Sequence, residues 1–245
     1  MPRFFVSKND IEAEIALIRE GDAWHISRSL RMAVGDEIIL SDGEGNDYRC
    51  ALEDIKDSLC RCRIISSGKA TCEPPFPITL FMAYPKGDKL ETVIQKAVEL
   101  GASKIIPFTS SRCVKRPDEK RSVTRLDRLC KIAEEAAKQC GRAVLPKVLM
   151  PISFQEMLAE AKKHSLALFC YEGNGTRSLK ETLEEVNEIP GSLCAIVGSE
   201  GGFSREEAEE ALAAGLTAVN LGPRILRCET APAYVLTAVS YKFEL

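Results

Sequence analysis

Two short stretches near the C-terminus hold most of the residues that could do chemistry. The apolar run Leu193-Cys194-Ala195-Ile196-Val197 leads into Gly198-Ser199-Glu200-Gly201-Gly202-Phe203, and Ala218-Val219-Asn220-Leu221 leads into Gly222-Pro223-Arg224-Ile225-Leu226-Arg227-Cys228-Glu229-Thr230. Glycine lets a backbone turn through positive φ or approach a ligand closely. Loops at the carboxyl ends of adjacent parallel strands are where open α/β sheets place ligands. An arginine and a glutamate beside such a backbone offer a stabiliser for negative charge and a carboxylate for proton chemistry.

The first loop is poorly suited to a phosphate. It has neither the Walker ending Gly-Lys-Ser/Thr nor the dinucleotide G-x-G-x-x-G. Ser204 and Glu207 form a capping box that opens a helix over about 205–214, closed by Gly215. Glu200 places a negative charge in the loop that this helix's dipole alone does not offset. A neutral or cationic ligand with ribose hydroxyls and a base edge fits better, and S-adenosylmethionine, a sulfonium without phosphate, is one. A plain glycine turn packing a strand on a helix is the alternative for this loop taken alone.

The second loop, Leu221-Gly222-Pro223-Arg224-Ile225-Leu226-Arg227 followed by Glu229-Thr230-Ala231, resembles a signature of the RsmE family of ribosomal RNA methyltransferases. Gly-Ser-Glu-Gly-Gly-Phe-Ser resembles that family's other signature, with Ser199 where proline is customary; Cys228 stands where threonine is common. Residues 95–101, 134–142 and, near the N-terminus, 25–31 and 34–36 also resemble family segments. The resemblance implies a knotted SPOUT-type parallel sheet flanked by helices, with a small N-terminal PUA-like β-barrel domain. It implies methyl transfer from S-adenosylmethionine to N3 of a uridine in 16S ribosomal RNA near the decoding site, free or in the assembled small subunit, by a homodimer. One subunit's small domain then serves the other's pocket.

On this reading the cofactor pocket is built from Gly198, Ser199, Glu200, Gly201, Gly202, Leu221, Gly222, Ile225, Leu226 and Thr230, with Tyr171 and Glu172 as weaker candidates. Arg227 is the first catalytic candidate, stabilising negative charge on the uracil carbonyls. Glu229 acts as a base, orients Arg227, or forms a salt bridge with it that fixes the loop. Cys228 invites a nucleophilic role, with Arg224 and Arg227 depressing its pKa, but N-methylation needs no covalent adduct. Candidate RNA contacts are Arg3, His25, Arg28, Arg31, Arg112, Lys115 and Arg142. The rival activities are ribose 2′-O methylation of transfer RNA and a non-enzymatic RNA-binding assembly factor. A nucleotide-dependent enzyme ranks behind both, since its phosphate motifs are missing.

Several elements must position these residues. Residues 1–70 read as a mostly β domain with strands at 36–41, 47–52 and 58–65 and a helix at 23–32; residues 71–77 form a linker and 78–245 the catalytic domain. In the latter, strands at 78–84, 104–108, 166–171, 193–197 and 218–221 alternate with helices at 89–100, 123–139, 154–163, 179–186 and 205–214, the rhythm of a parallel sheet. The last helix, about 231–243, is expected to take Thr230 as its N-cap.

The chain has 245 residues, 45% hydrophobic and 28% charged, with a net charge of −3 that gives no global nucleic-acid signature. Local positive charge between Arg112 and Lys131 reads equally as a phosphate-contacting surface or a solvated helix face. The ten cysteines lack C-x-x-C spacing, so no metal site is expected and buried reduced thiols are. Without an apolar span or a signal-like N-terminus, a cytoplasmic protein is expected.

Overall fold

A computed structural model describes residues 1–114 and 122–245. The chain divides into two compact units, residues 1–73 with 137–145 and residues 74–136 with 146–245.

The first unit contains β1 (Arg3–Phe5), β2 (Ile11–Glu12), β3 (Ile15–Arg19), α1 (Glu20–Trp24), β4 (Glu37–Ser41), β5 (Asn46–Ile55) and β6 (Leu59–Lys69). They form one sheet in the order β1-β4-β5-β6-β3-β2. β1 pairs parallel with β4 and the other ladders are antiparallel. Ile38 and Leu40, Cys50 and Leu52, and Cys60 and Cys62 each alternate onto the buried face, the period of two that puts i and i+2 together. β1, β2 and β3 were not expected from the sequence, because they are short and lack clean alternation. The helix expected at 23–32 starts earlier, at Glu20, and continues after Trp24 as a π-helical turn over His25–Ser29. Glu20 and Arg31, both at φ +52°, bound this segment, and so local backbone geometry rather than periodicity sets its ends.

Residues 137–145 are held to this unit by Glu73. Its carboxylate takes Arg142 Nη2 at 2.7 Å and Nε at 3.0 Å, and accepts the backbone N–H groups of Ala143 and Val144 at 2.8 and 2.9 Å.

The second unit alternates strands and helices: β7 (Ile78–Ala83), α2 (Lys89–Glu99), β8 (Lys104–Thr109), α3 (Ser122–Cys140, its last residues counted with the first unit), β9 (Lys147–Val148), β10 (Ile152–Ser153), α4 (Phe154–Ala161), β11 (Leu166–Cys170), β12 (Arg177–Ser178), α5 (Leu179–Glu184), β13 (Leu193–Val197), α6 (Arg205–Ala213), β14 (Thr217–Asn220) and α7 (Thr230–Phe243). All pairings are parallel, in the order β10-β8-β7-β13-β11-β14-β12 with β9 on β8. β7 and β13 are buried along their whole length, as a parallel sheet covered on both faces requires. α2 buries Leu90, Val93, Ile94, Ala97 and Val98, the stripe of a helix with one face on a core.

One expectation is corrected here. The strands that carry the two glycine loops, β13 and β14, are not adjacent; β11 runs between them, paired with both. Its apolar run Leu166–Cys170 comes earlier in the chain, and spacing along the sequence does not report spatial order. Among the described residues no helix is long and apolar enough to cross a membrane, and no cluster of three metal-ligand side chains occurs.

Candidate active site

Because β13, β11 and β14 are parallel, their carboxyl ends face one edge, and three loops emerge side by side. The first is tied by an isolated bridge between Ser199 and Gly202, with Gly202 N donating to Ser199 O at 2.9 Å. Gly202 needs its glycine, being at φ +62°. Gly198 needs its own for space, since a Cβ there would lie 3.1 Å from Gly202 Cα and 3.2 Å from the Phe203 ring. Phe203 anchors the loop in the core, 4.4 Å from the Phe169 ring centroid. The capping box of Ser204 and Glu207 is present, and Glu207 also accepts Ser111 N at 2.6 Å.

The loop after β14 starts at Asn220, whose side-chain amide donates to Arg177 O at 3.0 Å. It ends where Arg227 O accepts the backbone N–H groups of Thr230 and Ala231, opening α7. Thr230 is therefore not the N-cap. Glu229 takes that position without a side-chain capping bond, because its backbone is already in the helical region at φ −82°, ψ −20°.

Between the loops lies a cleft of about 570 Å³. Gly198, Ser199, Glu200 and Gly202 line one wall; Leu221, Gly222, Ile225, Leu226 and Arg227 line another. Tyr171 and Glu172, weak candidates in the sequence, line it too, as the interposed β11 requires. Gly201, Glu229 and Thr230 are not on its wall. Gly201 instead faces Arg112, whose Cβ and carbonyl oxygen would each be 3.0 Å from a Cβ at that position; Arg112 Nη1 donates to Gly201 O at 3.2 Å.

Sequence reasoning missed Lys89. From the first turn of α2 its ammonium reaches Glu200 at 3.0 Å, Glu229 at 3.3 Å and the Cys228 sulfur at 3.8 Å. Only its place just after the β7 loop could have pointed to it. Lys86 N adds a bond to Glu200 at 3.2 Å. The charge of Glu200 is thus met by Lys89, and Glu229 pairs with Lys89 rather than with Arg227. Arg224 and Arg227 are exposed and make no side-chain hydrogen bond or ion pair among the described residues.

Electrostatics follow this arrangement. Burial pushes the Glu200 carboxyl up, but bonds from its own backbone N–H, Lys89 and Lys86 outweigh it and leave the group below the usual range. The backbone N–H of Glu229 itself, then the Cys228 thiol and Lys89, hold the Glu229 carboxyl low as well. Glu200 first, then Glu229, hold the Lys89 ammonium above its ordinary value. Cys228 goes the opposite way to the sequence expectation: burial, then the thiol's bond to Glu229 at 3.2 Å, push it up to about 12. It is a protonated donor, unfit as a nucleophile.

The basic candidates separate by environment. Arg3 is forked onto Asp47 at 2.5 and 2.9 Å with its side chain 13% exposed, and Arg142 is 4% exposed against Glu73. Both are engaged in ion pairs inside the first unit. His25 and Arg28 lie exposed in the π-helical turn of that unit and Arg31 lies exposed just beyond it; Arg28 pairs with Asp57 at 2.5 Å. Arg112 is exposed beside the first glycine loop. Lys115, with Arg116, Lys120 and Arg121, lies outside the described residues. Of the remaining basic run, Arg125 bonds Gly87 O and sits over the Tyr84 ring, and Arg128 pairs with Glu91.

Comparison with known proteins adds to this geometry. Residues 72–240 match a family model described as an RNA methyltransferase domain, and residues 18–72 one described as an RNA methyltransferase PUA domain. The chain is 36% identical to the ribosomal RNA small subunit methyltransferase E of Bacillus subtilis, over 100% of this chain and 98% of that protein. Its fold is similar to the crystal structure of the enzyme of that name from Neisseria gonorrhoeae bound to S-adenosyl methionine, with TM-score 0.86, 30% identity and coverage of 98% and 97%. It is also similar to a Legionella pneumophila methyltransferase in complex with the cofactor SAM, with TM-score 0.85, 28% identity and coverage of 98% and 96%.

Proposed function

The chain belongs to the RsmE family of ribosomal RNA small subunit methyltransferases, and on that premise we propose that it transfers a methyl group from S-adenosylmethionine to N3 of a uridine in 16S ribosomal RNA, near the decoding site. The observation that carries the reading is the cleft itself. It is walled by the main chain of two glycine loops and by Leu221, Ile225 and Leu226, has room for a nucleoside-sized ligand, and carries on its wall the Glu200 carboxylate ion-paired to Lys89. Main-chain groups and apolar side chains of this kind fit a nucleoside cofactor, and neither phosphate-binding motif is present. SPOUT architecture and its trefoil knot fit the same family.

Bound there, S-adenosylmethionine supplies an electrophilic methyl on a sulfonium. Backbone amides and carbonyls of Gly198 to Gly202 and Leu221 to Leu226 hold adenine and ribose. Gly201 contributes only main chain, and Thr230 acts through the start of α7. Methylation at N3 requires loss of a weakly acidic imide proton. Arg227, on the cleft wall and without a side-chain partner among the described residues, stabilises the negative charge that develops on the uracil carbonyls. Glu229, already engaged by Lys89 and Cys228 and held acidic, orders the loop rather than taking the proton, which leaves to solvent. Alignment of nitrogen and methyl supplies much of the rate.

N3 lies on the pairing edge, so the uridine leaves the stack before it reacts. His25, Arg28 and Arg31 of an RNA-binding domain over residues 1–70, joined by 71–77 to a catalytic domain over 78–245, grip the backbone. Arg112 does so near the cleft, and Lys115, outside the described residues, is proposed as a further phosphate contact. The working form is a homodimer in the cytoplasm; Tyr234 and Tyr241, 44% and 75% exposed and two turns apart on α7, support a self-contact there.

The test is methyl transfer to small ribosomal subunits lacking the modification, read by nucleoside mass spectrometry. New 3-methyluridine is the expected product. Methyl on ribose or on another base would reject the assigned reaction while leaving the donor cleft intact.

A further inference from the structure

We propose that Lys89 is a positioning residue that fastens the two loops bordering the donor cleft to each other. This rests on the reading of the cleft as the methyl-donor site. Glu200 belongs to the loop after β13 and Glu229 to the loop after β14, and β11 separates those strands, so no ladder ties the loops together. Lys89 comes from a third element and is ion-paired to both, at 3.0 and 3.3 Å. Its backbone is rooted, since Leu90, Val93 and Ile94 of the same helix are buried.

The placement runs against the local rule. A cation in the first turn of an 11-residue helix meets the positive end of the helix dipole, where an anion is favoured. A residue set against its own helix in this way is expected at a functional position. Without Lys89, carboxylates from the two loops would stand near each other with no cation between them, a repulsion that loosens both loops. Cys228 reinforces the arrangement by donating its thiol to Glu229 at 3.2 Å, which fixes the carboxylate Lys89 must find.

The test uses the full-length protein. Lys89→Met is expected to bind S-adenosylhomocysteine roughly ten-fold more weakly by calorimetry, and to raise the donor KM more than it lowers kcat. Lys89→Arg should recover most of the affinity. In the donor-free protein, hydrogen exchange should quicken in residues 198–203 and 221–229 together. The Glu200→Gln and Glu229→Gln variants should be non-additive for donor binding with Lys89 present and additive in the Lys89→Met background. If Lys89→Met does not fold, Lys89→Arg and the two glutamine variants carry the test. Unchanged affinity in a folded Lys89→Met protein, or loosening of one loop alone, would overturn the proposal. If the wild type itself fails to bind S-adenosylhomocysteine, the reading of the cleft falls instead, and the exchange data still decide whether Lys89 joins the loops.

Discussion

Arginines at the cleft and arginines in the first unit look alike in the sequence and differ in what surrounds them. Arg224 and Arg227 stand exposed on the loop after β14, with no side-chain partner among the described residues. Arg3 and Arg142 are turned inward and forked onto Asp47 and Glu73. A guanidinium already matched by a partly buried carboxylate has its charge spent on the fold, and removing its partner leaves it unpaired. An unmatched one at a cleft is free to meet charge that appears only during reaction. The number of basic residues in a segment therefore says little about its partner until each ion pair is known.

Substitutions can break this comparison. The largest effect is expected from Arg227→Ala, which should slow methyl transfer by roughly 10²- to 10³-fold, the size of losing one preorganised donor to a developing anion. Donor binding and melting temperature should stay near wild type. Arg142→Met should behave in the opposite manner, costing about 1.5–3 kcal/mol in urea unfolding by removing the charged hydrogen bonds to Glu73, with RNA affinity of the folded fraction unchanged. Arg31→Gly sharpens the contrast. It relieves a φ of +52° and should hold or raise stability by up to about 1 kcal/mol. It should also weaken RNA binding and reduce the salt slope by about one.

Smaller effects are expected inside the Lys89 cluster. Cys228→Ser should keep methyl transfer within about three-fold, because a thiol near 12 is essentially all protonated at neutral pH and serves only as a donor that serine replaces. Loss of activity in that variant would revive the nucleophile. The smallest effect concerns pH. Glu200 and Glu229 both titrate below the ordinary 4.5 in the folded state, so the ion pairs they make are fully present above that value and are lost as pH falls through the lowered ones. Donor affinity should stay flat from about pH 8 to about pH 6; a fall in that window would contradict the charge states assigned here.

Much of this was legible in the sequence where backbone chemistry leaves a mark. Gly198, Gly202 and Gly222, the Ser204–Glu207 capping box and the apolar run of β13 each impose a local geometry that the residue type itself encodes. The parallel α/β rhythm of the second unit followed from the same signals. What escaped was non-local. Nothing in the spacing of the strands told that β11 would lie between β13 and β14, although that is what brings Tyr171 and Glu172 to the cleft. Lys89 reads as an ordinary first-turn residue until Glu200 and Glu229, over a hundred positions away, are seen beside it. Arg142 looks like any basic residue until Glu73 is found against it. Ion pairs of this kind are set by tertiary packing, and propensity and periodicity carry no record of them.

The central claim is that the cleft between the β13 and β14 loops holds the methyl donor. Its most direct test is calorimetric titration of the wild-type protein and of Gly198→Val with S-adenosylhomocysteine and with ATP. A valine there collides with Gly202 and the Phe203 ring, so the account predicts saturable binding of S-adenosylhomocysteine to the wild type, none of ATP, and a loss of binding in a variant that still melts cooperatively. Equal binding of S-adenosylhomocysteine by both proteins, or saturable binding of ATP, would contradict it.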